Sequence, residues 1–165
     1  MPFKKGVARV APEILLVDDN AGDIRLMQEA FGEAVCSARL HVARNGQQAL
    51  AYLRRESPYQ ASARPAFILL DLNLPGLSGA ELLAEIKKER GLRQIPVIVL
   101  STSADAGHIS KAYDLHANCY ITKPANLESL VELVRVLEAF WLGAVALAAP
   151  EVNSRPRILA CRKSA

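Results

Sequence analysis

AFILLDLNLPGLSG, residues 66–79, decides the architecture. Residues 67–70 form an unbroken apolar run, the pattern of a strand buried on both faces of a sheet. The run stops on Asp71. Leu-Pro-Gly then forbids continuation, because Pro75 has no amide hydrogen and Gly76 favours a turn. Ser78, followed three residues later by Glu81, reads as a capping box that opens a helix. The order strand, turn, helix puts Asp71 at the carboxyl end of a central parallel strand, where open α/β sheets gather their ligands. On this stretch alone, capping a turn would explain Asp71 equally well. The other acidic residues decide between the two.

Upstream, residues 14–17 (ILLV) repeat the pattern and stop on Asp18-Asp19. Asn20 reads as an N-cap, and Asp23 in the first turn complements the helix dipole. Ile24, Met27, Ala30 and Phe31 lie at helical spacing and form a core face. Arg39–Ala43 reads as a second strand. Asn45-Gly46 opens a second helix with Ala49, Leu50 and Leu53 inward, and residues 57–65, rich in Ser, Pro and Ala, form a surface loop. The helix after Asp71 turns Leu82, Leu83 and Ile86 inward and ends near Gly91.

A fourth buried strand covers residues 96–100 and ends on Ser101-Thr102-Ser103. Asp105 caps a fourth helix reaching about His116. A fifth strand over residues 119–122 is closed by Lys123-Pro124, and Asn126 caps a long final helix. Strands alternating with helices at this rhythm mean βαβ units and a parallel sheet. The expected fold is a doubly wound five-stranded α/β sheet of flavodoxin-like order 2-1-3-4-5. Its switch point lies between strands one and three, which end on Asp18-Asp19 and Asp71.

Bulk properties fit one domain, taken as residues 12–149, with a leader at 1–11 and a basic, flexible tail at 150–165. The net charge of +3 resides in that tail, where Arg155, Arg157, Arg162 and Lys163 face Glu151 alone. The body is neutral, which argues against a DNA-binding domain with a basic face. Cys36, Cys119 and Cys161 are widely spaced and follow no metal-ligand pattern, as expected of thiols in a reducing cytoplasm. His41, His108 and His116 form no ligand set and read as surface or core-edge residues. The longest uncharged apolar run, residues 139–150, falls well short of the ~18 residues that span a bilayer.

Carboxylates converging at one crevice raise one another's pKa and strain the fold unless a cation compensates. Carboxylate oxygens with room for water suit Mg²⁺. Strand four delivers the Ser101 hydroxyl to the same crevice, and strand five delivers the Lys123 ammonium. Cation, hydroxyl and ammonium are what an incoming phosphoryl group needs for charge neutralisation. A carboxylate is the nucleophile that can accept it.

ILLVDDN, ILLDLNLPGLSG, PVIVLSTS and CYITKP, in that order, closely resemble a CheY-like response-regulator receiver domain over roughly residues 12–148. DDNAGDIRLMQEAF, YDLHANCYITKP and EAFW look like the single-domain regulators paired with phytochrome histidine kinases. The resemblance implies that Asp71 is the phosphoacceptor. It implies that Asp19 binds Mg²⁺ directly, Asp18 mainly through water, and Asn73 through its backbone carbonyl. Ser101 would hydrogen-bond the phosphoryl group and Lys123 would pair with it. Tyr120 would be the switch aromatic, acting with Ser101, and the Lys123–Pro124 bond would be cis.

The partner implied is a histidine kinase, a bacteriophytochrome in the narrower match. The protein would accept and lose its own phosphoryl group without a separate substrate, so it is not expected to be an enzyme. An aspartyl-phosphate phosphatase is disfavoured. It needs a second carboxylate two residues after the nucleophile, where Asn73 stands. An unphosphorylated interaction scaffold would tolerate loss of acidic residues, and none is lost.

On the final helix, Leu130, Val134, Leu137 and Trp141 form one apolar stripe and Leu133, Val136 and Phe140 a second. One stripe suffices to dock a helix, so the excess predicts a second buried contact, a homodimer through this helix. Cover by the leader is the competing explanation.

Overall fold

The computed structural model describes residues 11–149. The expected leader and basic tail lie almost wholly outside the described residues. The strands are β1 (Glu13–Val17), β2 (Arg39–Ala43), β3 (Phe67–Leu70), β4 (Val97–Ser101) and β5 (Cys119–Thr122). Between and after them run α1 (Ala21–Glu33), α2 (Gly46–Arg54), α3 (Gly79–Lys88), α4 (Ala106–Asp114) and α5 (Leu127–Leu137), and a π-helical segment, Glu138–Ala144, continues α5. The sheet is parallel with the order β2-β1-β3-β4-β5, as expected from the alternation of apolar runs and helical patterns.

Why the strands read as continuous apolar runs is plain from the packing. Along β3, Ile68 and Leu70 face a core shared with Ala49, Tyr52 and Leu53 of α2 and Leu82, Leu83 and Ile86 of α3. Phe67 and Leu69 face the opposite core, built with Ile24, Met27 and Phe31 of α1 and Leu130, Val134 and Leu137 of α5. Both faces are covered, so neither parity can be polar. Burying one such side chain stabilises the fold by roughly 1.5–3 kcal/mol. The central strands are therefore the least tolerant part of the chain.

The β3–α3 connection is closed as the sequence predicts. Ser78 Oγ accepts from Glu81 N–H at 3.2 Å while Glu81 reaches back to the Ser78 N–H at 2.9 Å, and Gly76 adopts φ +71°. Gly79 has a further reason to be glycine. A Cβ there would stand 2.3 Å from the Asp71 carbonyl oxygen and 2.5 Å from Leu72 Cα. Only a hydrogen fits, so α3 begins in contact with the main chain of the acidic strand end.

Four details differ from expectation. β4 is shifted by one residue, because Pro96 cannot donate and Ser101 O instead accepts from Lys123 N–H at 2.8 Å. On α2 it is Tyr52 that is buried, while Leu50 is only partly so. The final helix does not keep one period: after Leu137 it widens, and Val145 N–H donates to Phe140 O. The widening leaves Trp141 partly buried against Phe67, ring centroids 6.2 Å apart, while Val136 and Phe140 are exposed. Finally, the Lys123–Pro124 bond is trans. Among the described residues only Ser57–Pro58 is cis. Lys123 reaches the crevice without that isomer, since its position at the end of β5 already aims it there. Among the described residues no helix is long and apolar enough to cross a membrane.

Candidate phosphoacceptor site

Register places the site. Val17 of β1 lies beside Leu70 of β3, so the next residue on each strand, Asp18 and Asp71, emerge side by side. Asp71 N–H donates to Val17 O at 2.9 Å, which ties the two strand ends together. Ser101 closes β4 beside Thr122 of β5, and Lys123 follows. Each group enters the crevice because an apolar strand ends one residue earlier or on it.

Asp18, Asp71 and Ser101 are buried. Lys123 Nζ lies 2.8 Å from Asp18 Oδ2, 2.9 Å from Asp71 Oδ2 and 2.8 Å from Asp23 Oδ2. The other oxygens of the two buried carboxylates are held by the backbone. Asn20 N–H donates to Asp18 Oδ1, and Asn73 N–H donates to Asp71 Oδ1, each at 2.9 Å. Burial pushes the Asp18 carboxyl pKa up, against the hydrogen bonds from Lys123 and Asn20. Burial works against the charge on Lys123, but its three carboxylate partners outweigh it and hold the ammonium above its ordinary pKa.

One ammonium serves three carboxylates, so the crevice retains net negative charge. Asp18, Asp23 and Asp71 each offer an oxygen within 4.8 Å of the others. These are hard oxygen donors around a point already filled by a cationic nitrogen, and the set fits a divalent cation. Asp19 is exposed and lies outside the set that converges within 4.8 Å. Asp23 was legible only as a helix-dipole residue. The signal for it was its place one turn after Asp18-Asp19 on a helix that starts at the crevice.

Ser101 Oγ accepts from Ser103 N–H at 3.2 Å. Tyr120, partly buried on β5, donates its hydroxyl to Ser103 O at 2.8 Å. Ser103 Oγ pairs with His108 Nδ1 at 2.9 Å. Ser101, Ser103, Tyr120 and α4 are thus joined by one chain of hydrogen bonds.

A 2-1-3-4-5 sheet whose switch point gathers carboxylates around a lysine, with a hydroxyl on the neighbouring strand, is the framework of a signalling receiver module. The response regulator receiver domain matches residues 14–135, and the chain belongs to that family: it is a two-component response regulator. Response regulator Rcp1 of the cyanobacterium Synechocystis is 46% identical over 136 residues, which is 82% of this chain and 92% of that protein. The crystal structure of the phosphorylated cyanobacterial phytochrome response regulator RcpA is 48% identical, with a TM-score of 0.78, over 85% of this chain and 100% of that one. The Mn²⁺-bound form of Rcp1 is 45% identical, with a TM-score of 0.75, over 84% and 99%.

Proposed function

We propose that Asp71 accepts a phosphoryl group from the phosphohistidine of a histidine kinase. Support comes from the register that sets Asp71 beside Asp18 with Lys123 between them. An Asp71 carboxylate oxygen attacks phosphorus, the P–N bond breaks, and the kinase imidazole leaves and takes up a proton. Lys123 and the Ser101 hydroxyl bond oxygens of the transferred group. Asp18, Asp19, Asp71 and the Asn73 carbonyl would hold Mg²⁺, which would supply charge neutralisation. Attack of water on phosphorus later releases phosphate and restores the carboxylate. The protein acts as carrier and has no separate substrate.

Once Ser101 turns to the phosphoryl group, its link to Ser103 changes, and Tyr120 is bonded to the same residue. That couples the site to the β4–α4 and β5 surface. The kinase is of the phytochrome type, a reading supported by the likeness to RcpA and Rcp1. The protein works in the cytoplasm as a homodimer through α5. Exposed Val136 and Phe140, beside a cleft of about 360 Å³ lined by Cys119, Ile121 and Leu133, support that surface. Light scattering with and without phosphodonor is expected to give a dimer, and a monomer under both conditions would overturn it. For the central reading, intact mass after acetyl phosphate and Mg²⁺ is expected to show one added phosphoryl group. Asp71→Asn is expected to show none. An adduct retained in Asp71→Asn would place the chemistry elsewhere.

A further inference from the structure

Asp23 is the one carboxylate of the crevice that the phosphoacceptor reading leaves without a role. It sits in the first turn of α1, where an acidic residue complements the helix dipole. That role needs no contact with Lys123. Yet Asp23 Oδ2 lies 2.8 Å from Lys123 Nζ, as close as Asp18 Oδ2 and closer than Asp71 Oδ2 at 2.9 Å. An ammonium has three N–H donors, and these three oxygens take all of them.

The three carboxylates are not equivalent. Asp18 and Asp71 each have Oδ1 engaged by a backbone N–H, which leaves Oδ2 as the oxygen without a main-chain partner. Lys123 sits on both. The Asp23 carboxylate accepts from Lys123 alone among the described residues. Its side chain is 36% exposed, against 3% for Asp18 and 11% for Asp71, so it stands at the mouth of the crevice.

We infer that Asp23 is a positioning residue for Lys123: with a divalent cation held at Asp18 and Asp71, the ammonium would keep Asp23 as its carboxylate partner and stay beside the phosphoacceptor. This rests on the metal-assisted phosphoacceptor reading and adds a residue to it. Without Asp23, the ammonium would have no third carboxylate partner among the described residues, so it would keep competing with the cation for Asp18 and Asp71. The loss is transmitted through Lys123 and disappears when Lys123 is absent.

A double-mutant cycle on the full chain tests this, with Mg²⁺ binding read by calorimetry. Asp23→Asn is expected to weaken Mg²⁺ binding by about three- to tenfold when Lys123 is present, the scale of one charge-assisted hydrogen bond at a partly exposed position. In a Lys123→Met background the same change is expected to cost less than about twofold. Asp23→Glu keeps the charge and is expected to restore binding to within about twofold of wild type.

Equal loss in both backgrounds would make Asp23 a metal ligand and overturn the inference. So would unchanged affinity in both with a lowered unfolding temperature, which would leave only the helix-dipole role. A wild-type protein that binds no Mg²⁺ and takes no phosphoryl group from acetyl phosphate would bring down the phosphoacceptor reading as well. One that does both, with no coupling in the cycle, brings down the inference alone.

Discussion

The two ends of the sheet both bury charge, and they handle it differently. At the amino end, Glu13 is buried at the start of β1 and faces two basic side chains. Arg39 Nη1 is 3.6 Å away, and His41 Nε2 pairs directly with the Glu13 carboxylate. At the carboxyl end, three carboxylates share one lysine. Space does not tell the ends apart. The amino end has a cleft of about 400 Å³ lined by Pro12, Glu13, Arg55 and Ile95, larger than the roughly 310 Å³ beside Asp18 and Lys123. Charge balance does tell them apart. A carboxylate matched by bases is structural, whereas carboxylates in excess of their bases suit a cation.

The sharpest way to break this comparison is to remove the lysine. Lys123→Met is expected to destabilise the metal-free protein by about 3–5 kcal/mol, because the buried carboxylates Asp18 and Asp71 lose the ammonium they share. Added Mg²⁺ is expected to recover most of that loss in urea unfolding. Absence of recovery would mean that the carboxyl end is as structural as the amino end. Glu13→Gln is expected to cost about 1–3 kcal/mol, with no dependence on Mg²⁺.

Tyr52 sharpens the description of the amino end. Its hydroxyl is buried without a hydrogen-bond partner among the described residues, and its ring centroid lies 5.3 Å from that of His41 and 5.6 Å from that of Tyr59. Tyr52→Phe is expected to raise stability by about 1 kcal/mol at neutral pH by removing that unsatisfied group. Burial, with Glu13 nearby, pushes the Tyr52 phenol up to about 12. An acid raised in the folded state stabilises the protein below its unfolded value and loses that contribution as pH rises past it toward 12. The alkaline fall in stability is therefore expected to be shallower in Tyr52→Phe, as read by chemical unfolding across that range. The smallest effect is expected on the α5 face. Val136→Arg is expected to change monomer stability by less than about 0.5 kcal/mol while abolishing the proposed dimer in light scattering.

Much of this was legible because burial on both faces of a parallel sheet leaves an unmistakable trace. Apolar runs that end on Asp18, Asp71 and Ser101 gave the strand ends, and the alternation with helices gave the order. Asp23 escaped because its local role as a helix-dipole residue already explained it, and nothing local reports contact with a lysine 100 positions away. Leu50 and Tyr52 were hard to rank because both fit the inward face of a short helix. The π-helical segment was invisible for a related reason. Its i to i+5 bonding leaves no compositional mark, and residues 138–144 read equally well at the ordinary helical period.

That wide segment has a consequence for how the chain can vary. Each residue of an α-helix turns the next by about 100°. Deleting one residue of this segment ahead of Trp141 would let the ordinary period resume and swing the rest of the segment around the helix axis. The indole now resting on Phe67 would leave its seat, and a different set of side chains would come round to meet solvent. Length in this segment is thus a steering variable, able to re-aim the protein's outer face without touching the chemistry at the far end of the sheet.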